Sequence, residues 1–193
     1  MPEREILIYP KYKIELRSKS ESIQDFDRKF KRVVEDLKDT LLAHPEGIGL
    51  AAPQIGLNLR TVVVRLGGKY DWDSKAGPPI VLANPEIVAQ GDEQRDFDGC
   101  LSFPGLYSET VRPHYLRVIG LTEDGHPFDQ IYQGFDAVLV HHEIDHLDGV
   151  LFIDRTQTLD DLYRVYMDRN GKPERVPLSK ILQKREEPIG FIE

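Results

Sequence analysis

The stretch that decides the fold of this chain is Asp136–Leu147, which reads DAVLVHHEIDHL. Apolar residues cover most of the circumference of the helix that it predicts, namely Ala137, Val138, Leu139, Val140, Ile144 and Leu147. A helix that is apolar nearly all round is buried, so we expect the rest of the chain to enclose it. Gly149 follows at the position expected for a helix terminator.

This helix carries the pentad His142–His146, HEIDH, which is an HExxH motif. Residues four apart lie on one helix face, so both imidazoles can reach one metal ion with Glu143 beside them. The alternative is a pair of ordinary core or surface histidines. On a buried helix the pentad's polar side chains would then need partners away from water, so the metal site is favoured.

The third metal ligand is not contained in the pentad. Metzincins extend it to HExxHxxGxxH, but the last position here is Phe152, which cannot bind metal. Thermolysin-like enzymes use a downstream glutamate on a second helix, and the first one here, Glu174, lies in a predicted turn. The only cysteine, Cys100, lies in the loop DGCLSFPG (98–105). A lone cysteine is often a buried apolar residue, but the flanking glycine and proline indicate a shaped loop and favour Cys100 as a metal ligand. A thiolate as third ligand would leave the fourth position open for water.

A second glycine-rich stretch is GIGLAAPQIG (47–56). It matches GxGxxA, the pattern of a dinucleotide-binding turn, but such a turn follows a strand and opens a helix. Here it follows a predicted helix, and Pro53 and Gly56 make an immediate new helix unfavourable. Gln54 is then either a surface residue or one that faces a ligand, because the glycines beside it allow close backbone approach.

Taken in order, GIGLAAPQ, DGCLS and HHEIDHLDG resemble the three motifs of peptide deformylases, and the resemblance runs from about Glu5 to Arg155. Those enzymes remove the N-formyl group from the initiator methionine of nascent bacterial or organellar chains and release formate. The resemblance implies a metallohydrolase with one divalent cation per chain. Fe²⁺ is the expected ion, with Zn²⁺, Ni²⁺ or Co²⁺ as alternatives.

The resemblance also assigns roles to residues that match the motifs. The implied metal ligands are Cys100, His142 and His146. Glu143 would be the catalytic acid/base, and the side chain of Gln54 and the backbone N–H of Leu101 would bind the oxyanion. The residues expected to contact the substrate are Gly49, Gly99, Val138 and Leu139. For the last two, plain core packing is an equally good interpretation.

Two positions depart from the family pattern. Asp98 stands where the family has glutamate, and His141 stands where it has glutamine. A contact from the shorter Asp98 to Arg112 would need a shift of the loop, and changes around metal ligands can cost roughly 10–100-fold in affinity or activity. His141 could offer another ligand, although its helical position points about 100° away. Altered substrate or lost activity is therefore the alternative to an active deformylase, and a metalloendopeptidase is a third hypothesis.

The order of elements predicts an α+β fold, a single domain with antiparallel sheets packed around the central helix. The domain would span 1–193, with a core of about 5–155 and a C-terminal tail of about 156–193. Predicted strands are 5–9, 61–66, 80–83, 86–89, 115–121 and 128–133. Besides the central helix, predicted helices are 26–41, capped by Ser22 or Asp25 and ending by His44-Pro45, and 160–168. A turn-rich excursion, 67–79, contains Trp72, and a turn is predicted at 170–173.

Composition limits the possible partners. The formal net charge of −8 disfavours broad binding to nucleic acid, and no apolar run is long enough to span a membrane. The N-terminus lacks the layout of a signal peptide, and one cysteine cannot form an internal disulfide. We expect a bacterial cytoplasmic protein, a monomer, whose partner is the N-formylmethionyl peptide; transient contact with the ribosome stays open.

Overall fold

The computed structural model describes residues 3–68 and 76–186. The helices are α1 Lys13–Leu16, α2 Arg28–Ala43, α3 Phe135–Leu147 and α4 Leu178–Glu186, with short 3₁₀ helices at Ala52–Ile55 and Phe152–Arg155. The strands are β1 Gly49–Ala51, β2 Thr61–Val64, β3 Ile80–Gly99, β4 Leu106–Leu121, β5 Pro127–Gln133, β6 Leu162–Met167 and β7 Pro173–Pro177. These strands form one antiparallel sheet in the order β1-β2-β3-β4-β6-β7, and β5 also pairs with β4. The predicted α+β class is confirmed.

The central helix prediction is also confirmed. Every residue of α3 from Ala137 to Leu147 is buried. The helix packs against β1, β2, β4 and β5, and its apolar residues form a core with Val62, Leu82 and Leu116. Because side chains on all faces of α3 are enclosed, its polar residues must find partners inside the protein.

Helix α2 covers a second core cluster on the side of β1 and β2. Its cap is Asp27, whose Oδ1 accepts hydrogen bonds from the backbone N–H groups of Lys29 (2.8 Å) and Phe30 (3.0 Å). The predicted caps, Ser22 and Asp25, were therefore wrong. The helix ends at Ala43, as expected from the proline at position 45, which disfavours helix at the residue before it.

The two predicted strands at 80–83 and 86–89 belong to one strand, β3, whose register shifts between Ala83 and Glu86 and again between Ile87 and Ala89. The strand continues through a polar stretch to Gly99, pairing with β4. It thereby delivers Cys100 to the central helix. The predicted hairpin of 115–121 and 128–133 is confirmed by the pairing of β4 with β5.

Two secondary-structure predictions were wrong. Residues 5–9 form no strand, because their backbone bonds loops instead: Leu7 N–H donates to Gln54 O (2.7 Å) and Tyr9 N–H to Ser102 O (3.0 Å). The segment 160–168 is not a helix, since 162–167 is β6, which pairs with β4.

The region predicted to be a C-terminal tail contains the hairpin of β6 and β7 followed by α4. Its turn lies at the predicted place, with Gly171 at φ +75°. Most of the excursion at 67–79, including Trp72, lies outside the described residues. Within the described ranges, no helix is long and apolar enough to cross a membrane.

Candidate metal centre

Three side chains from two elements converge beside α3. His142 and His146 lie one turn apart on α3, with ring centroids 5.0 Å apart. Cys100, just after β3, brings its Sγ to 3.3 Å from His146 Nε2. The ligand atoms of these three residues all lie within 4.8 Å of one another. This spacing and this set of one thiol and two imidazoles fit a single divalent transition-metal ion.

Asp98 orients the first of these histidines. Its Oδ1 lies 2.7 Å from His142 Nδ1, so Nε2 is the ring nitrogen that remains for a metal. Its Oδ2 accepts hydrogen bonds from Arg112 Nε (2.7 Å) and Thr110 Oγ1 (2.9 Å). Burial alone would raise the pKa of Asp98, but Arg112 and His142 lower it below the ordinary value. The aspartate at this motif position thus keeps the expected contact with Arg112.

Arg112 lies at the centre of a buried network of ion pairs and hydrogen bonds. Its side chain is 0% exposed, and its second guanidinium arm donates to Asp145 Oδ2 at 2.7 Å. Arg155 also binds Asp145, at 2.6 and 2.9 Å. His141 Nδ1 lies 2.6 Å from the same Arg112 nitrogen, and burial lowers the pKa of His141 to about 4. The neutral ring therefore accepts a hydrogen bond from Arg112, and His141 lies outside the ligand group.

Glu143 lies on α3 next to the ligands and is only 3% exposed. Burial raises the pKa of its carboxyl to about 7, which suits a group that both takes and returns a proton. Gly49 makes room for it, because a Cβ built on Gly49 would lie 2.2 Å from Glu143 Oε1. The motif GIGLAAPQ is thus in direct contact with the motif HHEIDHLDG.

Gln54 lies in the 3₁₀ helix that follows β1, so no α-helix opens there, as expected. Its Oε1 accepts a hydrogen bond from the Ala51 backbone N–H at 2.8 Å. Its Nε2 donates to Ser102 Oγ (3.2 Å) and to Cys100 Sγ (3.4 Å). These bonds fix the amide with its N–H groups toward the thiol. Leu101, the residue after Cys100, lines the same side of the site.

These residues lie in one cleft of about 1320 Å³. All ten residues singled out from the sequence line it or, for His146, contact Cys100 beside it. Leu139 also packs in the core around α3, so the core interpretation holds for it as well. Neither the metzincin nor the thermolysin position supplies a ligand: Phe152 stacks beside His142, with ring centroids 6.3 Å apart, but has no ligand atom, and Glu174 is exposed on β7.

Sequence reasoning missed one wall of the cleft. Val165, Pro173 and Arg175, from the β6–β7 hairpin, line it together with the motif residues. This segment carries no motif, and the helix predicted at 160–168 would have placed Val165 differently.

Comparison with known proteins gives a consistent result. A family model described as polypeptide deformylase matches residues 3–161. Peptide deformylase 1 of Bacillus subtilis is 41% identical over 153 residues, which cover 76% of this chain and 89% of that protein. Peptide deformylase 1B of Arabidopsis thaliana, chloroplastic/mitochondrial, is 37% identical over 188 residues, covering 91% and 66%. Among solved structures, a peptide deformylase from Legionella pneumophila matches with a TM-score of 0.73 and 34% identity, covering 96% of this chain and 99% of that one.

Proposed function

The chain belongs to the peptide deformylase family, and on that premise we propose that Glu143 is its catalytic acid/base and that Cys100, His142 and His146 bind its metal ion. The protein is a hydrolase that removes the N-formyl group from the N-terminal methionine of nascent polypeptides. The single observation that carries the residue assignment is the convergence of three ligand atoms within 4.8 Å beside a buried carboxyl group.

The metal is proposed to be ferrous iron, by resemblance to the family. When bound, such a cation polarises the formyl carbonyl and makes a water molecule more acidic. The chain's own contribution begins with Asp98, whose contact with His142 Nδ1 fixes the ring and leaves Nε2 as the nitrogen that would bind the ion.

The proton is moved by Glu143. Its carboxylate takes a proton from the attacking water as the new C–O bond forms at the formyl carbon. It then returns that proton to the leaving nitrogen as the C–N bond breaks, which gives formate and a free amine. A buried carboxyl with a pKa near 7 can act in both directions at neutral pH.

The developing negative charge on the formyl oxygen is proposed to be bound by Gln54 Nε2 and the backbone N–H of Leu101. Gln54 suits this role because its oxygen is already held by Ala51 N–H, so its N–H groups cannot turn away. Loss of one such donor typically costs about 10²–10³ in rate.

The methionine side chain is proposed to lie against Val138 and Leu139, which are 1% and 4% exposed and line the cleft. Gly49 and Gly99 would let the substrate backbone approach closely. A Cβ on Gly99 would lie 2.7 Å from the Tyr107 ring, so the narrow space there depends on glycine. The apolar side chains of Val138 and Leu139 are consistent with an apolar first residue of the substrate.

Cellular context follows from the reaction. We place the protein in the bacterial cytoplasm, where formylated nascent chains are made, acting as a monomeric single domain over residues 1–193 with transient ribosome contact. The support for one domain is the continuous sheet from β1 to β7.

The decisive experiment is formate release from formyl-Met-Ala-Ser under anaerobic conditions, with the metal content measured on the same sample. Glu143→Ala should abolish turnover and keep the metal, whereas Cys100→Ser should lose metal. Turnover retained by Glu143→Ala would exclude it as the base. Cleavage of internal peptide bonds without formate release would instead indicate an endopeptidase.

A further inference from the structure

The β6–β7 hairpin presents one face to the catalytic cleft. In the sheet, Gly99 pairs with Tyr107, Tyr107 with Tyr163, and Val165 with Arg175. Because side chains alternate between sheet faces, these residues lie on one face, together with Phe97. All of them except Tyr163 line the cleft. The hairpin also lies beyond residues 3–161, which the family match covers, so it is a feature that the three motifs do not specify.

The Arg175 side chain extends from β7 across this face toward β3, the strand that ends just before Cys100. Its guanidinium carbon lies 5.2 Å from the centroid of the Phe97 ring on β3 and 5.3 Å from that of Tyr163 on β6. These aromatic rings support the planar cation from beneath. The guanidinium therefore lies against these rings, and Arg175 lines the cleft.

The described residues neutralise the charge of Arg175 only weakly. Arg175 forms a long ion pair with Glu109, with 4.0 Å between its terminal guanidinium nitrogen and Glu109 Oε1. Glu109 is shared with Arg95, which lies closer, at 3.3 Å. The Arg175 side chain is 58% exposed, so its N–H donors are accessible to a ligand in the cleft, and a carboxylate is the group that they match best.

We propose that Arg175 is a specificity-determining residue that binds a carboxylate on the third or fourth residue of the formylated peptide. Phe97 precedes Cys100 by three positions on an extended chain, so a peptide that starts at Cys100 needs about two to three further residues, at roughly 3.3 Å each, to reach it. This inference rests on the proposed function, because it assumes that the formyl group is bound at the metal centre.

The test compares kcat/KM for two amide-capped substrates, formyl-Met-Ala-Asp-Ala and formyl-Met-Ala-Asn-Ala, which differ only in charge. An exposed ion pair supports a preference of up to about fivefold for the aspartate peptide, expressed mainly in KM and reduced at high salt. Arg175→Ala should remove the preference, and Arg175→Glu should reverse it. A second pair, formyl-Met-Ala-Asn-Ala as free acid and as amide, distinguishes a terminal carboxylate at the fourth residue from an acidic side chain.

Arg164→Ala is the matched control. Arg164 lies on the same hairpin, is exposed, and pairs with Val176, which places it on the opposite face of the sheet. The Arg164→Ala variant should keep the preference for the aspartate peptide, although it changes the net charge as much as Arg175→Ala does. Equal kcat/KM within both substrate pairs in the wild type, or a preference that survives Arg175→Ala, would overturn the proposal.

Failure of the proposed function is distinguishable from failure of this inference. Formate release from the asparagine peptide tests the function without Arg175. The dissociation constants of the two deformylated peptides, Met-Ala-Asp-Ala-amide and Met-Ala-Asn-Ala-amide, test Arg175 without any turnover. They should differ up to about fivefold in the wild type and be equal in Arg175→Ala. Equal constants in the wild type, both for this pair and for Met-Ala-Asn-Ala as free acid and as amide, would refute the role of Arg175.

Discussion

The contact between Gly49 and Glu143 gives the sharpest prediction. A Cβ at position 49 would lie 2.2 Å from Glu143 Oε1, 2.7 Å from Cδ and 2.9 Å from Cγ. Heavy atoms in comfortable contact lie about 3.5 Å or more apart, so Gly49→Ala must displace the carboxylate by roughly 1 Å. A catalytic group misplaced by about 1 Å can cost on the order of 10²-fold. We therefore expect kcat/KM for formate release to fall about a hundredfold, while the metal content stays unchanged.

The same substitution should reduce stability, because Glu143 is buried and cannot move into solvent. Overpacking of this kind costs about 1–3 kcal/mol in the free energy of unfolding, measured by urea denaturation. In the Glu143→Ala background the added methyl group has room, so the cost of Gly49→Ala should nearly vanish. This non-additivity identifies the carboxylate as the group that the methyl displaces.

Gly91→Ala is the control for replacing a glycine with alanine in a strand of this sheet. A Cβ there meets no atom within 4 Å, and Gly91 is exposed on β3. Its effect on stability should stay within about 0.5 kcal/mol, with unchanged activity. If Gly49→Ala keeps activity similar to that of Gly91→Ala, then Glu143 either tolerates displacement or is not the catalytic base.

Three further predictions concern the supports of the site. Gly149→Ala should be much more destabilising than Gly171→Ala by urea denaturation. Both glycines have φ above +70°, a conformation that costs other residues about 1–2 kcal/mol. Of the two, only position 149 would also place a Cβ 2.3 Å from a backbone oxygen, that of Arg17. Arg112→Met should lower the free energy of unfolding by about 3–5 kcal/mol because it leaves the buried Asp98 without its arginine partner and removes one of the two arginines that bind Asp145. Asp98→Asn should keep the fold but weaken metal binding by about 10–100-fold in a chelator competition, and an unchanged affinity would remove Asp98 as the group that orients His142.

The sequence predicts the centre of this molecule well and its periphery poorly. The twelve residues of 136–147 contain both a burial pattern and two proposed ligands with fixed helical spacing, so α3 and the pentad could be placed by local geometry alone. Cys100 lies 42 positions before His142, and no spacing rule links them. Elimination of other ligands and the resemblance to a family supplied that link.

The errors have a common physical cause, which is that local pattern does not say where backbone hydrogen bonds go. Leu162, Val165 and Tyr166 recur at helical spacing, yet the segment pairs with β4 and buries Tyr163 against Tyr107. The segment 5–9 has an apolar pattern typical of a strand, but the backbone N–H groups of Leu7 and Tyr9 donate to the carbonyl oxygens of Gln54, in a 3₁₀ helix, and Ser102, in a turn. In both places tertiary contacts overrode local preference.

The two departures from the family motifs are connected in space, although they lie 43 positions apart in the chain. Asp98 and His141 both bind Arg112, through its Nε and one terminal nitrogen respectively. The shorter carboxylate still reaches both Arg112 and His142, and the imidazole of His141 fills the other side of the guanidinium as a neutral acceptor. Both changes are therefore accommodated at one buried cation outside the proposed ligand group, and Cys100, His142 and His146 still converge beside Glu143. This is the physical reason to expect an active enzyme and not one whose chemistry has lapsed.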